Sequence, residues 1–175
     1  NDDNLYQFAK ALNIEKESVD LVTKNFKGLE GRQEFIAEIN GRKFVNDTCA
    51  THPMANLYML KSFENPIVIW GGVDKGFDIK ALAKEFMRRN IRLFIFQGSA
   101  GERILKVLKK DYIKKQVTSN IQTMNDAVEM AYKISKKGDV IILSPGAASF
   151  NMFLNEFDRG KKFIKAVKSL KNGRL

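Results

Sequence analysis

Cysteine and histidine are almost missing from this chain. Its 175 residues include one of each, Cys49 and His52. A lone cysteine excludes an internal disulfide, and with one histidine beside it no zinc cage of the Cys/His kind can be assembled. Proline is scarce at 3 residues and glycine stands at 12, so collagen-like and proline-rich segments are excluded. Long apolar runs are absent too. The longest, Pro66 to Trp70 and Val140 to Leu143, are the size of a strand, far below the roughly 18–20 residues of a membrane span. No secretory pattern is visible. A reduced, cytoplasmic setting is the expectation.

What is present points to a folded domain. Hydrophobic residues make up 44% and aromatics 10%, which excludes intrinsic disorder. The length suits one domain with a short appended piece. The chain opens on Asn rather than Met, close to a helical pattern, so a piece of a longer protein is expected. Thirty Lys and Arg against twenty Asp and Glu leave a net charge of +10. Such a surplus favours anionic partners in general: nucleic acid, a membrane surface, or phosphorylated and carboxylated small molecules.

The patterning divides the chain early. Leu5, Phe8, Ala9 and Leu12 recur at helical spacing, as do Val19, Val22 and Phe26, which predicts two helices followed by a linker around Gly28 and Gly31. Two β-forming runs, Gln33 to Ile39 and Arg42 to Asn46, flank Asn40-Gly41. Asn-Gly between such runs predicts a hairpin, because a type I′ turn needs φ > 0 twice. Strands and helices then alternate. Helices are expected at Pro53 to Phe63, Asp78 to Asn90, Glu102 to Lys109, Thr123 to Ser135 and from about Asp158. Strands are expected at Ile67 to Trp70, Arg92 to Phe96, Ile113 to Val117 and Asp139 to Leu143. Continuous apolar strands between helices imply a parallel sheet covered on both faces. The predicted fold is α/β: a Rossmann-like, doubly wound, mainly parallel sheet with helices on both faces and an N-terminal β-hairpin. There is no internal repeat.

Ligands of such sheets bind beyond the carboxyl ends of the strands, which selects four loops. Gly71-Gly72-Val73-Asp74-Lys75-Gly76 offers an Asp-Lys pair for an ionic substrate group, or is an ordinary turn. Ser144-Pro145-Gly146-Ala147-Ala148-Ser149 offers backbone N–H groups and two hydroxyls for an anion, or is a tight strand-to-helix turn. It lacks the Gly-Lys-Ser/Thr of a nucleotide P-loop. Asp47 to His52 contains Cys49 and His52, a thiol with a nearby base. No orienting Asn or Asp stands at a fixed relation to them, and a packing cysteine with a helix-flanking histidine is the plainer expectation. Gln97-Gly98-Ser99-Ala100-Gly101 lacks the glycine spacing of a dinucleotide turn. Lys161, Lys162, Lys165, Lys168 and Lys171 alternate with Phe163, Ile164, Val167 and Leu170 as an amphipathic helix does.

Four groups of residues occur in a telling order. They are Gly28-Leu29 with Arg32; Asn46-Asp47-Thr48 with Ala50-Thr51; Gly71-Gly72 with Asp74-Lys75-Gly76 and Asp78; and Leu143-Ser144-Pro145 with Ala148-Ser149-Phe150, Asn155, Phe157, Arg159-Gly160 and Phe163. Together they resemble the C-terminal domain of the Mur ligases, most closely the branch that adds D-glutamate to UDP-N-acetylmuramoyl-L-alanine in peptidoglycan synthesis. The resemblance implies that residues 1–30 are helices from the end of a central ATP-binding domain plus a linker, and that residues 31–175 are the amino-acid-binding domain. It implies ATP and Mg2+ as requirements of the full-length enzyme, with the P-loop and the metal ligands outside this chain. No catalytic set is complete here, and the chain alone is expected to be inactive. By position, Arg32 and Asp47 would serve ATP. Thr51, Lys75, Ser149 and Phe157 would serve D-glutamate.

Two positions depart from the family pattern: Cys49 stands where Lys is common, and Ala147 where Cys is common. The expected partners are small molecules (D-glutamate, ATP, UDP-N-acetylmuramoyl-L-alanine) and the missing domains, without nucleic acid or a membrane span. The alternatives are another Mur or folylpolyglutamate-type ligase domain, or a basic nucleic-acid-binding α/β module suggested by the charge alone.

Overall fold

A computed structural model describes residues 2–150 and 152–172. Asn1, and within the expected second domain Asn151 and residues 173–175, lie outside the described residues. The elements run α1 (Asp2–Ala11), α2 (Lys16–Asn25), β1 (Glu34–Ile39), β2 (Arg42–Asn46), α3 (Pro53–Ser62), β3 (Ile67–Trp70), α4 (Lys80–Arg88), β4 (Arg92–Phe96), α5 (Ser99–Val107), α6 (Lys110–Gln116), β5 (Val117–Ile121), α7 (Met124–Ile134), β6 (Val140–Leu143) and α8 (Glu156–Lys171).

The six strands form one sheet in the order β1-β2-β6-β3-β4-β5. Among the described residues only β1 runs antiparallel within this sheet, paired to β2 through the turn. There Asn40 and Gly41 take φ of 49° and 75°, the two positive values a type I′ turn requires.

Each apolar strand is buried on both faces because its side chains alternate between two cores. Val68, Trp70, Leu93, Ile95 and Ile142 meet α3 to α6 through Met59, Leu82, Phe86, Ile104 and Tyr112. Ile67, Ile69, Phe94, Phe96, Ile141 and Leu143 meet α7 and α8 through Ala127, Val128, Phe163 and Val167. This is the expected doubly wound fold. The lysines of α8 are exposed while Phe163 and Val167 are buried, as the amphipathic pattern predicted. Thr123 caps α7, its hydroxyl accepting from the Asp126 N–H.

One predicted element is wrong. Ile113 to Val117 is not a strand; most of it is α6, and the fifth strand is Val117–Ile121. Helical geometry lets Tyr112 turn inward and donate to the Ile91 carbonyl at 2.5 Å. The true strand was hidden because it is an edge: Thr118 and Asn120 face solvent, so its residues are polar and resemble a turn.

The leading helices also differ from a simple core pattern. Of their apolar residues Ala9 and Val19 are buried, whereas Leu5, Phe8, Leu12, Leu21, Val22 and Phe26 are exposed. Neither helix enters the two cores of the sheet.

Candidate functional site

Topology selects where a ligand can sit. After β2 and β3 the chain turns to α3 and α4 on one face of the sheet; after β6, which lies between them, it turns to α8 on the other. Loops that leave neighbouring parallel strands toward opposite faces open a crevice at the carboxyl ends. Three of the four loops singled out by sequence meet there, and backbone bonds join them. Val73 and Ala148 form a two-bond antiparallel bridge, N···O 2.9 and 3.1 Å. The Gly146 N–H donates to the Ala50 carbonyl at 2.7 Å. The fourth loop supports the first: the Ala100 N–H donates to the Gly72 carbonyl at 3.1 Å, and Ser99 Oγ accepts from the Asp74 N–H at 2.9 Å.

Asp74 has an internal role. Arg103 on α5 holds both its carboxylate oxygens, at 2.7 and 2.9 Å. The other guanidinium nitrogen donates to the Phe77 carbonyl at 2.7 Å. The pair therefore braces the loop and cancels its negative charge, leaving Lys75, which is exposed and in no ion pair among the described residues, as the loop's outward charge. Arg103 was not legible in sequence, since nothing local marks it apart from other helix-surface arginines.

Asp47 is the centre of a buried polar network. Ser144 Oγ donates to one of its oxygens at 2.8 Å, and the Gln33 N–H to the other at 3.2 Å. Asn56 donates to the Ser144 hydroxyl and carbonyl at 2.6 and 3.0 Å, and accepts from Trp70 Nε1 at 2.9 Å. Gln33 makes its bond from a left-handed backbone, φ 48°, an uncommon conformation for a side-chain-bearing residue and one that concentrates at functional sites. Burial raises the Asp47 pKa from its ordinary value, against partial opposition from Ser144, Gln33 and the Arg32 charge.

A raised folded-state value contributes stability that is complete below the unfolded pKa and is lost as pH rises through the folded one. The stability of the unchanged protein minus that of Asp47→Asn should therefore fall as pH climbs from about 4. Melting curves of both across the acid range would measure it, and a difference that rises with pH would contradict the burial assignment.

The remaining predicted residues differ in exposure. Arg32 is exposed beside Asp47's loop, Thr51 is half-buried, Ser149 is buried, and Phe157, in the first turn of α8, is 49% exposed. Cys49 and His52 share no hydrogen bond among the described residues. Burial pushes the Cys49 thiol up, away from a reactive thiolate. His52 Nδ1 accepts from the Met54 N–H at 3.0 Å and so caps α3, while its ring packs on Phe77 at 4.0 Å.

In the sequence Arg159 stands out only as part of a motif, yet it is the most buried charge of the region. It is 0% exposed. Nε donates to Thr48 Oγ1 at 3.1 Å, and the two terminal nitrogens donate to the Thr48 and Ala147 carbonyls at 2.9 and 3.1 Å. Desolvation lowers its pKa to about 10, still protonated at neutral pH. A sequence signal did exist. Arg159 lies four residues before Phe163 and eight before Val167, on the apolar stripe of α8 rather than on its lysine face.

Residues 31–146 match the family described as Mur ligase, glutamate ligase domain. The chain belongs to the Mur ligase family. This Mur ligase domain is 38% identical over 159 residues to the UDP-N-acetylmuramoylalanine--D-glutamate ligase of Caldanaerobacter subterraneus subsp. tengcongensis, 90% of this chain and 35% of that relative. The enzyme of the same name from Borreliella burgdorferi (strain ZS7) is 38% identical over 164 residues, 91% of this chain and 35% of its own length. The Mur ligase domain thus spans about a third of these relatives.

Among solved structures, MurF ligase from Thermotoga maritima in complex with ADP superposes with a TM-score of 0.62 at 16% identity, covering 96% of this chain and 37% of that one. The bifunctional folylpolyglutamate synthase/dihydrofolate synthase of Yersinia pestis gives 0.57 at 14%, covering 91% and 35%. At such identities the likeness is one of fold. Among the described residues no group of three or more histidine, cysteine or acidic side chains is placed to hold a metal ion, and no helix is long and apolar enough to cross a membrane.

Proposed function

We propose that this chain is the amino-acid-binding part of an enzyme that joins D-glutamate to UDP-N-acetylmuramoyl-L-alanine with consumption of ATP. The observation that carries this is the match to relatives named for that reaction. It covers about nine tenths of the chain, a stretch long enough to include every residue from Arg32 to Phe157. In the proposed reaction the alanine carboxylate takes the terminal phosphoryl group of ATP. The D-glutamate amine then attacks the acyl phosphate, an amide bond forms, and phosphate leaves.

Each site residue has a role fitted to its place. Lys75 pairs with a carboxylate of D-glutamate, a point charge on a flexible stem. The hydroxyls of Thr51 and Ser149 donate to the carboxylates, and Phe157 covers the aliphatic part of the amino acid. Arg32 reaches the ATP phosphates, where fixed positive charge stabilises a transferring phosphoryl group. Asp47, braced by Ser144 and Gln33, orders the nucleotide side.

Residues 1–30 are proposed to end a central nucleotide-binding domain, whose surface would cover Phe8, Leu12, Leu21 and Phe26. Magnesium would be held by that domain. The setting is the cytoplasm.

Phosphate release by the full-length enzyme decides the matter. With ATP, magnesium and UDP-N-acetylmuramoyl-L-alanine present, release should depend on added D-glutamate, while this chain alone should release none. Equal release with another amino acid, or none with D-glutamate, would assign the domain to a different member of the family.

A further inference from the structure

We propose that Arg159 is a positioning residue that clamps the amino-acid site together and lends it a buried positive charge. This rests on the assignment of Thr51 and Ser149 to that site.

The guanidinium is completely buried and takes part in no ion pair among the described residues. Glu156, the acidic group that acts on it, does so through longer-range attraction without a hydrogen bond between them. A buried charge without a carboxylate partner is costly, and here all three guanidinium nitrogens are spent on neutral oxygens from two loops. Two of these oxygens belong to Thr48 and one to Ala147.

Thr48 stands three residues before Thr51, and Ala147 two before Ser149. The planar fork therefore sets the spacing between the two hydroxyl-bearing segments. Thr48 closes the circuit by donating to the Glu156 carbonyl at 2.8 Å, which ties in the helix turn that carries Phe157. The approach is close: a Cβ added at Gly160, next to Arg159, would lie 2.9 Å from Thr48 Cγ2. A cation whose hydrogen bonds all go to neutral oxygens suits a site for a dicarboxylate.

The test uses the full-length enzyme with Arg159→Lys, which keeps the charge and loses the fork, and Thr48→Val, which removes one acceptor from the other side. Both should raise the KM for D-glutamate by about 10-fold through misplacement of the hydroxyls, with the KM for ATP unchanged. Amide exchange should quicken at Gly146 and Ala148, whose N–H groups bond to Ala50 and Val73, and not in β3 and β4. Exchange that stays constant at those two amides, or that quickens equally across the sheet, overturns the clamp; so does an equal rise in both KM values. Should the unmodified enzyme show no D-glutamate-dependent turnover, the substrate assignment falls, and the exchange measurement alone upholds or overturns the clamp.

Discussion

Gly146→Ala is expected to destabilise this chain by about 3 kcal/mol, with roughly 1 kcal/mol from left-handed backbone strain and about 2 kcal/mol from a broken buried hydrogen bond. Gly146 holds φ 60°, a conformation that side-chain-bearing residues rarely adopt. A Cβ there would overlap Asn56 Oδ1 and Trp70 Nε1, the two atoms of a wholly buried hydrogen bond. Both atoms sit in the packed core and cannot swing into solvent. Asn56 also donates to Ser144, and Ser144 to Asp47, so the disturbance runs straight into the site.

Gly138 is the fitting control. It holds φ 95°, yet a Cβ added there would meet nothing within 4 Å. Gly138→Ala therefore pays for backbone strain alone. At ~2–4 °C per kcal/mol for a chain of this size, Gly146→Ala should melt roughly 6–12 °C below the unchanged protein. A Gly146→Ala melting point equal to that of Gly138→Ala would show that the core yields to the added methyl group.

Lys75→Ala in the full-length enzyme is expected to raise the KM for D-glutamate by about 10- to 100-fold, the worth of one hydrogen bond to a charged group at about 1.5–3 kcal/mol. The KM for ATP should hold steady. The structure gives a reason to expect so clean a split. Arg103 takes both oxygens of Asp74, so the acidic neighbour neither pairs with Lys75 nor repels an incoming carboxylate. Lys75→Arg keeps the charge but changes its shape, and should recover only part of the loss. An equal rise in both KM values would move Lys75 to the nucleotide side.

Much of this is legible in the sequence. The Asn40-Gly41 turn, the three apolar runs Ile67 to Trp70, Arg92 to Phe96 and Val140 to Leu143, and the loops after them all follow from local chemistry. Turn geometry demands positive φ, and a strand buried on both faces must be apolar throughout. The edge strand Val117–Ile121 escaped notice for the converse reason, since half of it faces water. His52 was legible as a helix-flanking residue, and its ring nitrogen does cap α3.

The sequence by itself determined the doubly wound class, the loops that meet at the carboxyl ends of the strands and the family to which the chain belongs. The elements are written in short-range pattern, in residues a few positions apart, and the family in the order of four such groups from Gly28 to Phe163. Only the tertiary structure decided what the charges do. Asp74 and Lys75 are adjacent in the chain, yet one is locked by Arg103 from 29 residues away and the other is left exposed. Arg159, one cation among thirty by composition, became the wholly buried link to Thr48 across 111 residues. A charge's partner is chosen by distance in space and by burial, and neither is set by its neighbours along the chain.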